Sequence, residues 1–368
     1  MFIKKEISDR IEMLRFLMIF GVVVLHVPNY VPLAETGTAW FDVMKAFFQH
    51  AVFRATVPVL TLISGYLLFS TSLYKTPLTL WKKKLGSLAI PFLVFNLGFL
   101  CVAYVAQAYL GIKMSYDLVG AEPATWLNAM FGATSSPINY PLNFLRDMIV
   151  LVLLAPLFGV LLRNLPFLGA LLVFMCFYDD NDGALLLRDT MAIQFYIGGL
   201  MAMRKWDVLA LDKYATGMLA LFLAACVVVI QMRLINRTPF VLIAPFLVWP
   251  AASLLVNTRL GAWAIAHSKY SFFIFVTHAP LLMVLWFVYG KVAAYLPYQL
   301  FWVAAPFAVA GASIMVYKLA TAVAPDAFAA IVGRRARKPA AFVERRKTPR
   351  PAGAPVYSQE ARGRLAGA

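Results

Sequence analysis

Arg15 and His26 lie in one apolar run, "RFLMIFGVVVLHV", with ten residues between them. An ionisable side chain in hydrocarbon is costly, so one that persists there points to function. Eleven helical steps return a side chain to nearly the same stripe about 16 Å further on, which puts the two on one face at different depths. Arg15 sits near a boundary, where it could also snorkel to lipid phosphate. His26 has no such escape, and its imidazole can serve as a proton acceptor. A second apolar run, "FFQHAVFRATVPVLTLISGYLLF", carries Arg54, with Pro58, Thr61 and Gly65 on its stripe. That small-residue face admits a ligand or a close helix. Asp147, in "NFLRDM", completes a histidine, an arginine and a carboxylate at one depth, about 10 Å below one surface by helical rise. Such a set fits a proton-transfer site, and equally a buried ion pair with a bystander histidine. His278, in "YSFFIFVTHAPLL", lies near mid-span with Ser271 on its stripe, as suited to a bond across helices as to a ligand. His50 and His267 fall near interfaces and are given no chemistry.

The elements that position these groups follow from composition. The chain is 62% hydrophobic and 14% charged, with a mean hydropathy of +0.77. Ordinary soluble domains carry about a quarter charged residues, so a soluble globule is excluded. Apolar runs recur from residue 13 to residue 320 without a long polar interval, which also excludes a single anchor on a soluble domain. Spans of roughly 20 residues suit the hydrocarbon thickness. They fall at 13–33, 46–69, 86–110, 142–162, 165–178, 190–203, 214–232, 239–256, 270–289 and 300–320, the fifth and sixth being short. Prolines 58, 156, 245 and 250 within them are compatible with helices whose neighbours satisfy the freed backbone. The expectation is an all-α, polytopic membrane bundle of about ten helices. Lysine and arginine concentrate in alternate connections, among them Lys75 with Lys82 to Lys84, Arg204 with Lys205, and the tail. By the positive-inside rule both termini are then cytoplasmic.

Residues 1–330 read as the transmembrane domain and 331–368 as a basic, disordered tail, rich in Pro, Ala and Arg. The tail carries much of the net charge of +16, and a juxtamembrane basic tail holds topology or touches anionic lipid more often than nucleic acid. No nucleic-acid partner is expected. Cys101, Cys176 and Cys226 stand singly in apolar runs and read as buried hydrophobes. "VPNYVPLAE" follows His26 and holds no small-residue cleavage site, so the first span is expected to be retained. No internal repeat, phosphate loop, GxSxG elbow or metal-spaced cluster is found, and no metal is expected.

The Arg15-x10-His26 pair, "FRATVPVLTLISGYLL" at 53–68, "LNFLRDMIVLVLLAP" at 142–156 and "SFFIFVTHAPLL" at 271–282 together resemble the acyltransferase 3 family. Their order covers residues 8 to 320. The resemblance implies a bacterial ten-span enzyme of the cytoplasmic (inner) membrane that moves an acyl group, acetyl or succinyl, from cytoplasmic acyl-CoA to a hydroxyl of an envelope glycan. The glucan-succinylating and exopolysaccharide-acylating branch is the nearer in look, and no extracellular hydrolase-like domain is expected. Under the resemblance His26 is the base, Asp147 its orienting partner and Arg54 the cation for oxyanion or substrate. Arg15, Lys82, Lys83 and Lys84 would hold the phosphates of CoA, although such a lysine cluster also enforces topology. Ser64, Tyr66, Arg146 and His278 are assigned to substrate. Asn143 stands where many relatives have tryptophan. The expected partners are acyl-CoA, the glycan acceptor and the bilayer, with no permanently bound cofactor, and a homo-oligomer is compatible. The competing reading is a proton-coupled secondary transporter of a sugar or lipid-linked glycan.

Overall fold

In the computed structural model, residues 4–112, 114, 116–178 and 182–333 are described. The elements in chain order are α1 (Lys5–Leu25), α2 (Trp40–Ala46), α3 (Thr56–Phe69), α4 (Pro77–Leu110), α5 (Pro123–Phe131), α6 (Asn143–Asn164), α7 (Pro166–Tyr178) and α8 (Thr190–Met203). They continue with α9 (Ala215–Gln231), α10 (Thr238–Ala251), α11 (Ser253–Val256), α12 (Arg259–His267), α13 (Ser271–Val292), α14 (Tyr298–Val323) and α15 (Pro325–Ile331). No strand occurs among the described residues. Boundaries are set by local chemistry. Prolines open α4, α5, α10 and α15, where a missing N–H costs nothing. Gly111 and Gly132, both at φ 65°, close α4 and α5 in the left-handed conformation that glycine tolerates.

Among the described residues, seven helical segments are long and apolar enough to cross a membrane: Trp40–Phe69, Pro77–Leu110, Tyr140–Asn164, Asp212–Gln231, Thr238–Val256, Arg259–Val292 and Tyr298–Val323. The expected fifth and sixth spans are the shorter apolar helices α7 and α8. α1 has a different character. It begins at Lys5, well before the expected residue 13, and its first half carries Glu6, Asp9, Arg10 and Glu12. It also stops at Leu25 rather than reaching residue 33, because Pro28, Asn29 at φ 64° and Pro32 cannot continue a helix. His26 is therefore the C-terminal cap of α1, not a mid-helix residue. Residue 330, the expected domain boundary, lies within α15. The tail beyond Gly333 lies outside the described residues.

Three devices hold the bundle around α1. Arg10, fully buried, donates to both oxygens of Asp212 at 2.7 and 2.5 Å and to the Trp249 carbonyl at 3.3 Å, and its guanidinium stacks 5.1 Å from the Trp249 ring. This bidentate pair ties α1 to α10 and to the turn before α9. Second, α3 and α8 pack backbone to backbone. A Cβ placed on Gly65 would lie 2.1 Å from the Phe195 carbonyl oxygen, and one on Gly198 would lie 2.1 Å from that of Leu62. Third, the span expected as one helix over 46–69 is broken. Phe47–Ala51 widen into a π turn and Val52–Ala55 tighten into a 3-10 turn before α3 begins. Pro58 falls in the first turn of α3, where its missing N–H leaves no gap in the ladder. The break lets Arg54 turn back to the Gln49 carbonyl and shapes the site described below.

Because nothing can yield where two backbones touch, Gly65→Ala should destabilise the protein by about 1–3 kcal/mol. Its thermal unfolding midpoint in detergent should fall, whereas Gly86→Ala, in open space within α4, should keep or slightly raise it, alanine being the better helix former.

Candidate active site

The helix ending at His26 leaves carbonyls without intrahelical partners. Gln49, brought across by the π turn, supplies the donors: its Nε2 is 3.1 Å from the Val24 oxygen and 3.4 Å from that of Val27. The segment after His26 is fastened from two further directions. Tyr298 at the start of α14 donates to the Pro28 carbonyl at 2.7 Å, and Lys45 on α2 donates to that of Asn29. His50 Nε2 lies 2.8 Å from the Val31 oxygen. These bonds fix the backbone that carries the imidazole.

His26 lines a cavity of about 1710 Å³. Its ring meets the edge of Tyr140 at a centroid distance of 4.9 Å, and its Nδ1 is 3.0 Å from Nε2 of His278. His278 is fully buried behind it on α13, with Nδ1 donating to the Phe275 carbonyl at 2.6 Å. Arg54 reaches the same cavity, its Nε folded back to the Gln49 carbonyl at 3.1 Å across the broken helix. Its Nη2 donates to the Tyr30 hydroxyl at 3.2 Å. Arg188 and Arg237 also line the cavity, each just before the first turn of a helix, α8 and α10 respectively. Arg237 Nη1 donates to His50 Nδ1 at 3.0 Å. Among the described lining residues, three guanidiniums face one carboxylate, that of Asp189. The charges of Arg188 and Arg237 repel that of Arg54. Burial draws the Arg188 guanidinium below its ordinary value, and Asp147 opposes the shift. Such an excess of half-buried positive charge suits an anionic ligand.

The opposite part of the wall is apolar. Val94, Phe99 and Val102 of α4, Val284 and Phe287 of α13 and Val316 of α14 line it. The cavity is thus polar at His26 and greasy along α4, a surface suited to a ligand with both characters. No cluster of metal-ligating side chains occurs among the described residues.

The structure brings together His26, Arg54 and His278 of the residues singled out in the sequence, and places the others elsewhere. Asp147 is not the partner of His26. Its carboxylate is fully buried, with Oδ1 accepting from Arg146 at 3.0 Å and from the Leu187 N–H at 3.1 Å. His278 occupies the position expected for it. Arg146, assigned to substrate, is a clamp: it donates to the carbonyls of Gly132, Ala133, Ala184 and Leu185 as well as to Asp147. Ser64 bonds back to the Leu60 carbonyl within its own helix at 2.7 Å, and Tyr66 packs with Met201 and Trp249 away from the cavity. Neither lines it. His278 does not line it either, so its assigned contact with substrate is replaced by contact with His26. Arg15 is exposed on α1, close enough to Lys84 for their charges to repel, with Lys82 and Lys83 exposed beside it. None of the four lines the cavity.

Tyr30, His50, Tyr140, Arg188 and Arg237 were not singled out in the sequence. For the two arginines a signal existed. Each immediately precedes a span on the face where His26 and Arg54 lie, the position from which a long side chain can turn inward. Tyr30 and Tyr140 carry no such mark.

The acyltransferase domain family model, Acyl_transf_3, matches residues 8–318. The chain belongs to the acyltransferase 3 family. It is 31% identical over 350 residues to the succinoglycan biosynthesis protein ExoH of Rhizobium meliloti (strain 1021), covering 90% of this chain and 93% of that protein. No solved structure matches it. Family membership makes it a multi-pass membrane acyltransferase and decides against the transporter.

The clamp on Arg146 spans two loops with charge-assisted bonds, so Arg146→Met should lower stability by about 2–4 kcal/mol. A reduced unfolding midpoint in detergent, not recovered by added substrate, is the expected result.

Proposed function

We propose that the protein transfers a succinyl group from cytoplasmic acyl-CoA to a hydroxyl of an envelope exopolysaccharide. The observation that carries this reading is the imidazole of His26 in a cavity shared with Arg54, Arg188 and Arg237, within a chain of an acyltransferase family. Attack of a sugar hydroxyl on a thioester needs a base for the hydroxyl proton and positive charge near the developing oxyanion. His26 takes the proton as the new C–O bond forms, Arg54 stabilises the oxyanion, and collapse expels the CoA thiolate, which receives the proton from His26. A succinyl group carries a second carboxylate that an acetyl group lacks. Among the described lining residues, the surplus of guanidinium over carboxylate favours that second charge. The name of the relative, a succinoglycan biosynthesis protein, supports a polysaccharide acceptor.

The membrane arrangement proposed with this activity is ten spans, counting α1, α7 and α8 with the seven longer segments, with both termini cytoplasmic. The cytoplasmic membrane is then the site of action. Arg15, exposed near the lysines at 82–84, is on the cytoplasmic side and suits the nucleotide phosphates, about 16 Å along α1 from His26. The pantetheine arm crosses that distance.

Mass spectrometry of envelope glycans from cells with and without the protein tests the whole reading, since the mass increment names the acyl group and the glycan that bears it names the acceptor. An unchanged glycan profile would overturn it. With purified protein, His26→Ala, still folded, should lose at least about 100-fold in transfer. Arg188→Gln should lower transfer from succinyl-CoA roughly 10- to 100-fold while acetyl-CoA, if accepted at all, is spared. Equal loss with both donors would remove Arg188 from recognition of the acyl group.

A further inference from the structure

We propose that His278 is a positioning residue that fixes the tautomer of His26 and directs its basic nitrogen into the cavity; this rests on the reading of His26 as the base. A neutral imidazole has one N–H donor and one bare acceptor nitrogen, and which is which follows from its partners. For His278 the choice is settled by a carbonyl. Its Nδ1 faces the Phe275 oxygen at 2.6 Å, and a carbonyl only accepts, so Nδ1 carries the proton. Its Nε2 is then a bare acceptor. That nitrogen is 3.0 Å from His26 Nδ1, so His26 Nδ1 must donate. The remaining nitrogen of His26, Nε2, holds the free lone pair.

The burial of the two rings gives this ordering its use. His278 is fully buried and absent from the cavity wall, while His26 is partly exposed and lines it. The rings lie nearly parallel, 24° apart with centroids at 5.2 Å, so the bond runs along their offset and holds the orientation of the outer one. Tyr140 closes the other side of the His26 ring. With the opposite tautomer, His26 would present an N–H to the sugar hydroxyl and could not accept its proton. When His26 Nε2 takes that proton, the Nδ1–H becomes the donor of a cationic ring, and its bond to His278 strengthens. The proton leaves again from Nε2 to the thiolate, and His278 ends in the state in which it began.

A neutral orienting group also suits these surroundings. Arg54 and Arg188 are close enough to His26 to act on its charge. A carboxylate in the place of His278 would be drawn into pairing with such guanidiniums. An imidazole orients the base without offering them a counter-charge. Asp147, the nearest buried carboxylate in the sequence reading, is kept apart by Arg146 and the Leu187 N–H.

The experiment is nitrogen-15 NMR of the histidine-labelled protein in nanodiscs, read beside steady-state transfer. The chain has four histidines, so single substitutions assign each ring. The wild type should show His26 protonated at Nδ1 and bare at Nε2. His278→Leu should give a mixture of His26 tautomers and a kcat about 10- to 100-fold lower with KM nearly unchanged. His278→Gln keeps an acceptor near the Nε2 position and should restore most of both. A His26 signal protonated at Nε2 in the wild type overturns the proposal, as does a His278→Leu protein with unaltered spectrum and kcat, or a glutamine variant no better than leucine. The tautomer is read without turnover, so loss of the base assignment through an active His26→Ala protein would be told apart from failure of the positioning role.

Discussion

The unsatisfied end of one helix governs the layout of this protein. α1 must stop after Leu25 because the prolines that follow forbid continuation, and its last carbonyls then need donors in a place with little water. Gln49 is that donor, and it reaches Val24 and Val27 only because the chain between α2 and α3 is not an ordinary helix. The π and 3-10 turns present Gln49 to α1, and the carbonyl of Gln49 receives Arg54. A base and a cation are brought to one cavity by the repair of two broken backbones.

Electrostatics gives the cavity its direction. Buried arginines elsewhere in the molecule are matched: Arg10 by Asp212 and Arg146 by Asp147. Among the described residues, the three half-buried arginines that line the cavity share its wall with one carboxylate, that of Asp189, and Asp147 acts on Arg188 as well. A cation whose counter-charge is supplied by the fold serves stability, and a surplus of cations suits an anionic ligand. This contrast places Arg10 and Arg146 among the arginines that hold the bundle.

Much of this was legible in the sequence, for physical reasons. Hydropathy identifies helices because a bilayer leaves the backbone few other options, and each expected span overlaps a helical segment, although the first ends early and the second is broken. His26, Arg54 and His278 stood out because charge in an apolar run is rare. Pairing was not legible. Depth along a helix can be counted from residue number, but which face meets which depends on helix packing, so Asp147 and His26 shared a depth without sharing a contact. Helices α1 and α13 are far apart in sequence, and only their packing brings His278 to His26. Arg188 and Arg237 carried no mark in hydropathy because hydropathy cannot tell a side chain that turns inward from one that faces water. The end of α1 was misplaced by eight residues because the apolar character of "VPNYVPL" outlasts its ability to be helical.

The segment from Pro28 to Val31 is stitched to Tyr298 on one stretch of chain and to Lys45 and His50 on another. A catalyst fastened in this way has no stroke. It cannot swing between two reactants as a carrier arm would, so donor and acceptor have to be threaded to a stationary ring. Whatever moves during turnover is then sought in the walls, above all in α4, whose long, sparsely packed shaft forms one side of the passage and touches none of those stitches.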